Sequence, residues 1–568
     1  MSCGGSGGSR RSPQEQPSLL DSAPAGTHAV VVRVLFWYRG IESLGLGYLM
    51  SMLTHHGHEI DLIFEPGLDD NTVFDMPALA RLNRHDALVE RAKDFRPDLV
   101  CIGAPTNLWS HAARMGERLK RELGVPIVVG GHHAQALPEY VMDHWWVDVV
   151  CIGEGELALL ELVERMERGE DCSDVPTMWV KGPDGTVHRN EIGLLENDLD
   201  RLPFPEKQLW WEWGAFRDVL EVFTGRGCPF KCTFCNIHYQ REIFDGKGDF
   251  LRKRSVENVM QELEQNLAKY DASFISLHDD NFTTSVLWVE EFCEVYKDRI
   301  GLPWYCFGYP TTIKPRLMKA MSAANCSMIF MGIDSGDEEV RRQLYERPMV
   351  DELIYEKAEL IHEHGIRSFM STIYGSPGET PEQMWKTLEM VDRTKPTQCS
   401  GNVFYPLPKT KLYDVAVELG QLSEEGQEKV RSGVSSFHQD SILDHPHADL
   451  AEMLAKVTPV YVKAPTWAKP LLRRMVERRM KRTAQALYAV LIPITFSTIG
   501  KEAARITLAS VKAILTQNGR RNRASSKRNT PRRPPRRMVV DPPPASSIAS
   551  PVELVVKRDR PASGVLAD

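Results

Sequence analysis

TGRGCPFKCTFCNIH, residues 224–238, sets Cys228, Cys232 and Cys235 in a C-x3-C-x2-C spacing. Three thiolates this close can face one point only if the chain curls around it, and Gly225, Gly227 and Pro229 favour such a loop. A structural zinc site usually takes four protein ligands. No fourth cysteine follows at a zinc-like spacing, although His238 stands three residues on and keeps zinc open as an alternative. A soft site of three thiolates suits an iron–sulfur cluster with one iron left open for a substrate to coordinate.

The trio ends an apolar run, VLEVFTGRG (219–227), that reads as a strand. Five more such runs follow: SFISLHDD (273–280), WYCFGYP (304–310), SMIFMGID (327–334), RSFMSTIYG (367–375) and SGNVFYPLP (400–408). Six strands alternating with helix-like segments predict a partial (β/α)6, TIM-like barrel, with its reactive groups at the strand carboxyl ends. Upstream, AVVVRVLFW (29–37), HEIDLIFEP (58–66), PDLVCIGAP (97–105), PIVVGGHHA (126–134) and DVVCIGEGE (148–156) predict a second α/β unit. Continuous apolar strands between helices imply a doubly wound, Rossmann-like parallel sheet, whose ligands bind beyond the strand carboxyl ends. The loops there carry Leu44, Gly45, Gly47, Thr106, Gly130, Gly131, His132, His133 and Gly153–Glu156. TMWVKGPDGTVHRN (177–190) reads as a hairpin. DLDRLPFPEKQLW (198–210) reads as a linker in which Trp210, Trp211 and the nearby Trp213 pack.

The 568 residues allow two or three domains, and a content of 42% hydrophobic and 26% charged residues is that of a globular protein. A net charge of −8 gives no reason to expect specific nucleic-acid binding. Apart from the trio, the cysteines are scattered, which fits a reducing, cytoplasmic setting better than a disulfide framework. Residues 1–27 read as a disordered tail, as does 519–568, which is rich in arginine and proline. Between 421 and 518 the pattern is mostly helical. Its apolar stretch 484–499 is short for a membrane span and contains Pro493, so a buried helix pair is preferred to membrane-surface contact.

Cys228, Cys232 and Cys235, with Phe234 before the last, resemble the C-x3-C-x-aromatic-C signature of radical S-adenosylmethionine (SAM) enzymes. HDDNFT (278–283), MGIDSGDEEVRRQL (331–344), YGSPGET (374–380) and FYPLPKTKLYD (404–414) resemble later segments of that barrel, with Asp334 where the family commonly has Glu and Lys409 where it commonly has Gly. SLGLGYLMSMLTHHGHEIDL (43–62), RPDLVCIGAPT (96–106), VVGGHHAQALPE (128–139) and DVVCIGEGE (148–156) resemble the cobalamin-binding domain that precedes many such barrels. The resemblance implies a cobalamin-binding domain over 28–200 and a radical SAM domain over 201–420. It implies a [4Fe–4S] cluster on the three cysteines and SAM contacts from Phe234, Asp279, Asp280, Asp334 and Ser335, although the aspartates serve equally as helix caps. It also implies cobalamin contacts from Leu44, Gly45, Gly47, Thr106, Gly130, Gly131, His133, Gly153, Glu154, Gly155 and Glu156. No D-x-H-x-x-G motif supplies a cobalt ligand; Tyr38 and Arg39 stand near the cobalt's lower face or on the surface.

Enzymes of this kind make a 5′-deoxyadenosyl radical and often methylate unreactive carbon or phosphinate phosphorus through methylcobalamin. The implied partners are a small-molecule or peptide substrate and an external electron donor of flavodoxin or ferredoxin type. A cobalamin-containing radical cyclase or oxidoreductase is the alternative, and a non-catalytic cofactor-binding scaffold a third. Methylthio transfer needs a second cysteine trio, which Cys101, Cys151 and Cys172 are too dispersed to form.

Overall fold

The structure, a computed structural model, describes residues 31–66, 85–216, 218–434, 440–481 and 483–484. The first sheet comprises β1 (Arg33–Arg39), β2 (Glu59–Glu65), β3 (Leu99–Gly103), β4 (Ile127–Gly130), β5 (Val149–Cys151), β6 (Met178–Lys181) and β7 (Val187–Arg189), in the order β2-β1-β3-β4-β5-β6-β7. Strands β1 to β5 pair in parallel, and the predicted hairpin β6–β7 continues the same sheet antiparallel. Val34, Leu99, Ile127 and Val150 are fully buried, as strands covered on both faces require.

Strand β1 runs to Arg39, two residues past its predicted end. The extension has a physical cause: the Trp37 indole donates to Glu65 Oε1 (2.9 Å), and Arg39 pairs with Glu65 Oε2 (3.1 Å), carrying the β1–β2 ladder to Glu65. Arg39 is therefore buried against β2 and not on an exposed loop face. The glycines after β4 end that strand early. Gly131 takes φ +94°, and His132–Ala136 turns helical.

The second unit begins with β8 (Val219–Val222), followed by the short strands β9 (Gly225–Arg226) and β10 (Arg252–Lys253). Then come β11 (Phe274–Leu277), β12 (Trp304–Gly308), β13 (Cys326–Asp334), β14 (Arg367–Tyr374) and β15 (Gln398–Val403). Six of them form a parallel sheet ordered β15-β14-β13-β12-β11-β8, whose outer strands are not paired to each other: a partial barrel, as predicted. The β9–β10 ladder is antiparallel and too short to leave a periodic signature.

Among the described residues the C-terminal region is helical, with helices Glu424–Arg431, Ala448–Lys463 and Lys469–Glu477. Helix Ala448–Lys463 packs on β14 and β15, and Tyr374 Oη lies 2.8 Å from Thr458 Oγ1. The loop after Glu424–Arg431 reaches the first sheet, where a Cβ on Gly433 would stand 2.5 Å from the Thr106 carbonyl oxygen. Most of the apolar stretch 484–499 and both predicted tails lie outside the described residues. Among the described residues no helix is long and apolar enough to cross a membrane.

Helix Ala448–Lys463 comes close to β15 at Gly401, where a Cβ would meet Ala455 Cα and O at 2.6 Å. Both neighbours are backbone, so neither can rotate away. Gly401→Val should destabilise the protein by about 1–3 kcal/mol, seen as a lower thermal midpoint; an unchanged midpoint would show that this helix is not packed as described.

Candidate cluster and cofactor site

The cysteine loop is shaped by backbone contacts on both sides. Before it, a Cβ on Gly225 would stand 2.6 Å from the Arg252 carbonyl oxygen, and one on Gly227 (φ +87°) 2.3 Å from that of Phe250. Only glycine lets β9 approach β10 so closely. The Asp279 carboxylate, beyond β11, accepts from Thr224 N (2.6 Å), Gly225 N (3.2 Å), Thr224 Oγ1 (2.5 Å) and Lys253 Nζ (2.5 Å). Both its oxygens are thus engaged in holding the loop entrance.

Past the first cysteine, the Arg241 guanidinium donates to Cys228 O (2.7 Å). Thr233 donates from N to Tyr345 O (3.3 Å) and from Oγ1 to Leu344 O (2.5 Å), and its carbonyl accepts from Leu412 N (3.1 Å). Phe234 meets Tyr345 edge-on at 5.0 Å, within an apolar cluster that includes Leu412.

Arg347, which carries no motif, lies at the centre of this site. It is buried and ion-paired with Asp334, donates to Gly332 O (2.7 Å) and lies 4.0 Å from Cys232 Sγ. Its guanidinium also sits 4.3 Å over the Tyr309 ring, which stacks on Phe230 at 3.6 Å. Asp334 takes φ +63° at the end of β13, and no motif in the sequence marks Arg347 as its counter-charge. Ser335 is buried; its hydroxyl accepts from Asp337 N (3.1 Å) and shapes the turn after β13. Asp280 is exposed beside the loop. The desolvating walls around it, and then the charge of Asp279, raise its pKa to about 6.

The donor set fits a cluster better than a single ion. Burial raises the Cys228 thiol and pushes Cys232 up to about 11 and Cys235 up to about 12; the pull of Arg347 on Cys232 is too weak to reverse this. Thiols held so firmly in the protonated form ionise when a metal supplies the positive charge. Among the described residues no three His, Cys, Asp or Glu side chains converge on one ion. His238 faces Glu242, its Nδ1 3.1 Å from Oε1. A cluster offers a separate iron to each thiolate.

On the first sheet, the loops after β1, β3, β4 and β5 gather at one edge. Helix Ile237–Ile243, directly after the trio, meets that edge: Tyr239 Oη donates to Gln135 O (3.2 Å), and Gln240 Nε2 lies 3.1 Å from His132 Nδ1. Of the predicted cobalamin residues, Gly45 has open space where a Cβ would point; nearby, His132 is exposed, and Asn107, which carries no motif, has its Nδ2 buried with no partner among the described residues. An open backbone and an orphaned buried amide suit a bound polar group such as a corrin side chain. Leu44 and Thr106 are buried, and Gly47 is held by the linker, its carbonyl accepting from Glu206 N (2.9 Å). A Cβ on Gly130 would be in ordinary contact with Cys151 Cβ (3.5 Å). At Gly131 it would meet Ala104 N and O (3.0 Å), at Gly153 Thr177 Cγ2 (2.9 Å) and at Gly155 Leu49 Cδ2 (3.2 Å).

Three predicted contacts have other work. His133 is fully buried and stacked on Trp109 at 4.7 Å; burial pushes its pKa down to about 3, so its ring is a neutral part of an aromatic core. Glu156 pairs with Arg226 (2.5 Å), and Glu154 pairs with Arg226 (3.1 Å) and Arg252 (2.5 Å). Their carboxylates bind one half of the chain to the other, and only their backbone remains to face a ligand. Trp210 and Trp213 are buried, as the packing reading of the linker anticipates.

The comparisons agree with this layout. Residues 222–391 match the family model of the Radical SAM superfamily, and residues 39–163 that of the B12 binding domain. The chain carries a radical SAM domain preceded by a B12-binding domain, which imply a [4Fe–4S] cluster, SAM and cobalamin as its cofactors. It is 26% identical over 380 residues to an uncharacterized methyltransferase of Pyrococcus horikoshii, covering 66% of this chain and 78% of that protein. It is 25% identical over 437 residues to cytidylyl-2-hydroxyethylphosphonate methyltransferase of Streptomyces wedmorensis (67% and 79%). A third relative, the anaerobic magnesium-protoporphyrin IX monomethyl ester cyclase of Rubrivivax gelatinosus, is 26% identical over 354 residues (60% and 61%). Among solved structures, the fold is shared with the cobalamin-dependent SAM radical enzyme OxsB, with TM-score 0.58 and 15% identity over 87% of this chain and 81% of that one. It is also shared with the radical SAM methyltransferase TsrM of Kitasatospora setae, with TM-score 0.56 and 18% identity (68% and 76%).

Behind the cysteine loop, Glu379 accepts from Gly375 N (2.8 Å) and Ser376 N (3.1 Å), yet burial raises its pKa to about 8. The folded state keeps this proton over a range in which the unfolded chain, at the ordinary value of 4.5, has lost it. The stability that depends on it is present below about 4.5 and fades as pH rises towards 8. Glu379→Gln should therefore gain on the wild type in urea denaturation as pH rises from 5 to 8; a constant difference between the two proteins would refute the protonated carboxyl.

Proposed function

We propose that this chain is a cobalamin-dependent radical SAM methyltransferase that methylates an unactivated carbon, or a phosphinate phosphorus, of a small-molecule or peptide substrate. The observation that carries the reading is the juxtaposition of the cysteine loop and the ligand edge of the B12-binding sheet, held by helix Ile237–Ile243 through Tyr239 and Gln240. The methyltransferases among the relatives, each with most of its length matched, support it.

In this reading Cys228, Cys232 and Cys235 hold the cluster. Asp280, exposed beside the trio, offers its carboxylate to a cationic amino group of SAM. Asp279 and Ser335 act as positioning residues, and Phe234 backs the loop. Arg347 balances Asp334 and places positive charge beside Cys232. Gly45, His132 and the β3 loop with Thr106 and Asn107 face cobalamin. When bound, the cluster supplies the electron that opens a carbon–sulfur bond of SAM, and cobalamin supplies a methyl group that a radical can accept. The electron comes from an external donor of flavodoxin or ferredoxin type.

A cyclase is the second reading, favoured by the 26% identical protoporphyrin ester cyclase. Product analysis separates the two. Methylation consumes one SAM as methyl donor, giving S-adenosylhomocysteine, and another as radical source, giving 5′-deoxyadenosine. Cyclisation gives 5′-deoxyadenosine alone.

Anaerobically reconstituted protein with reductant, SAM and methylcobalamin should release 5′-deoxyadenosine and carry both the iron–sulfur absorbance and extractable cobalamin. Cys232→Ala should lose the absorbance and the SAM cleavage while binding cobalamin at wild-type stoichiometry. A Cys232→Ala protein that still made 5′-deoxyadenosine would refute the assignment of the trio.

A further inference from the structure

The alternation of the second sheet separates two kinds of residue. Cys306, Ile329 and Ser368, in register across β12, β13 and β14, are fully buried under the outer helices. Their neighbours on the concave face, Phe307, Phe330 and Phe369, form an equivalent row, with Tyr305 one step below on β12. These four rings sit on interior strands yet stay partly exposed. A closed eight-stranded barrel fills its interior with such side chains. Here the six-stranded sheet leaves β8 and β15 unpaired to each other, and the rings stay partly exposed on the side of the barrel lumen.

The rings form one continuous surface. Phe330 lies 4.5 Å from Phe369 at 22°, 5.2 Å from Phe307 at 41° and 4.8 Å from Tyr305 at 43°. His278 extends it, 5.4 Å from Phe307. There the wall becomes polar. His278 Nε2 stands 3.5 Å from Glu221 Oε1, with both side chains partly exposed (28% and 17%). Ser276, in register between Glu221 and Tyr305, is fully buried with its hydroxyl unpartnered among the described residues.

We propose that this lumen binds the substrate, and that the substrate carries a flat aromatic ring system with an N–H or O–H donor. The inference rests on the radical SAM reading above. Tyr305, Phe307, Phe330 and Phe369 meet the faces and edges of the ring, which a saturated group of equal size cannot reciprocate. Glu221, backed by His278, accepts the donor. The pair selects for that hydrogen, since a ring without one covers the partly exposed carboxylate, takes its water and offers no donor in return.

The test is equilibrium dialysis of the anaerobically reconstituted holoenzyme against three probes: indole, flat with an N–H; benzofuran, flat without one; and hydrindane, saturated without one. Indole should bind several-fold tighter than benzofuran, and benzofuran roughly five- to tenfold tighter than hydrindane. Phe330→Leu, which keeps the bulk but loses the ring, should bring benzofuran and hydrindane together. Glu221→Leu should bring indole and benzofuran together while leaving the preference over hydrindane. Equal binding of benzofuran and hydrindane by the wild type, or selectivities untouched by both variants, would overturn the proposal. Release of 5′-deoxyadenosine by the same preparation is scored separately. Cleavage without aromatic selectivity refutes only the lumen assignment, and absence of cleavage refutes the reading on which it rests.

Discussion

The salt-bridge network of Glu154 and Glu156 with Arg226 and Arg252 is the constraint on which the site depends. Two carboxylates come from the loop after the fifth strand of the first sheet, and two guanidiniums from the short ladder that opens the second unit. The group is largely shielded from water: Arg252 is 3% and Glu156 8% exposed at the side chain. Burial works against ionisation of Glu154, yet the two arginines hold its carboxyl below the ordinary range. Charges in such a place persist only as a set, because removing one partner strands another at a cost of roughly 3–5 kcal/mol. The set fixes the β9–β10 ladder, whose glycines fix the path into Cys228. The path from cluster loop to the first sheet is thus governed by ion pairs between the two halves of the chain.

That division explains why some of the conspicuous acidic residues serve the scaffold. Asp279 ends a strand at the mouth of the barrel, where a cofactor contact is a natural expectation, but its oxygens are occupied by Thr224, Gly225 and Lys253. Its charge is felt one residue on. Asp280, with the surrounding protein and Asp279 both opposing ionisation, titrates near 6 while remaining accessible. Two adjacent carboxylates are set apart by their surroundings: Asp279 is locked as an anchor of the loop entrance, while Asp280 stays exposed beside the Gly227 backbone.

The strands were legible because each is a short apolar run closed by glycine, proline or an acidic residue, and because runs alternate with helical segments. The trio was legible because three cysteines in eight residues are rare and their spacing carries chemistry. What stayed hidden depends on partners far apart in the chain. Nothing local marks Arg347, in a stretch without periodicity, as the counter-charge of Asp334, or Arg226 as the partner of two glutamates some 70 residues earlier. The glycine-rich loops misled in a different way. At Gly131, Gly153 and Gly155 the missing side chain makes room for the protein's own backbone and side chains, and at Gly45 for open space. A sequence shows that room is needed at such positions, not who fills it.

The same reasoning bears on how the cluster loop keeps its shape. Its fixed points are neutral or lie outside the thiols: Thr233 to the 344–345 backbone, Phe230 on Tyr309, Arg241 to the Cys228 carbonyl. Were the three thiols ionised by protein charge alone, their mutual repulsion would work against those contacts. Burial prevents it, holding Cys232 and Cys235 protonated far above neutral pH despite Arg347. Shape is therefore set by the polypeptide, and ionisation is left to the metal, whose positive charge arrives together with the need for thiolates.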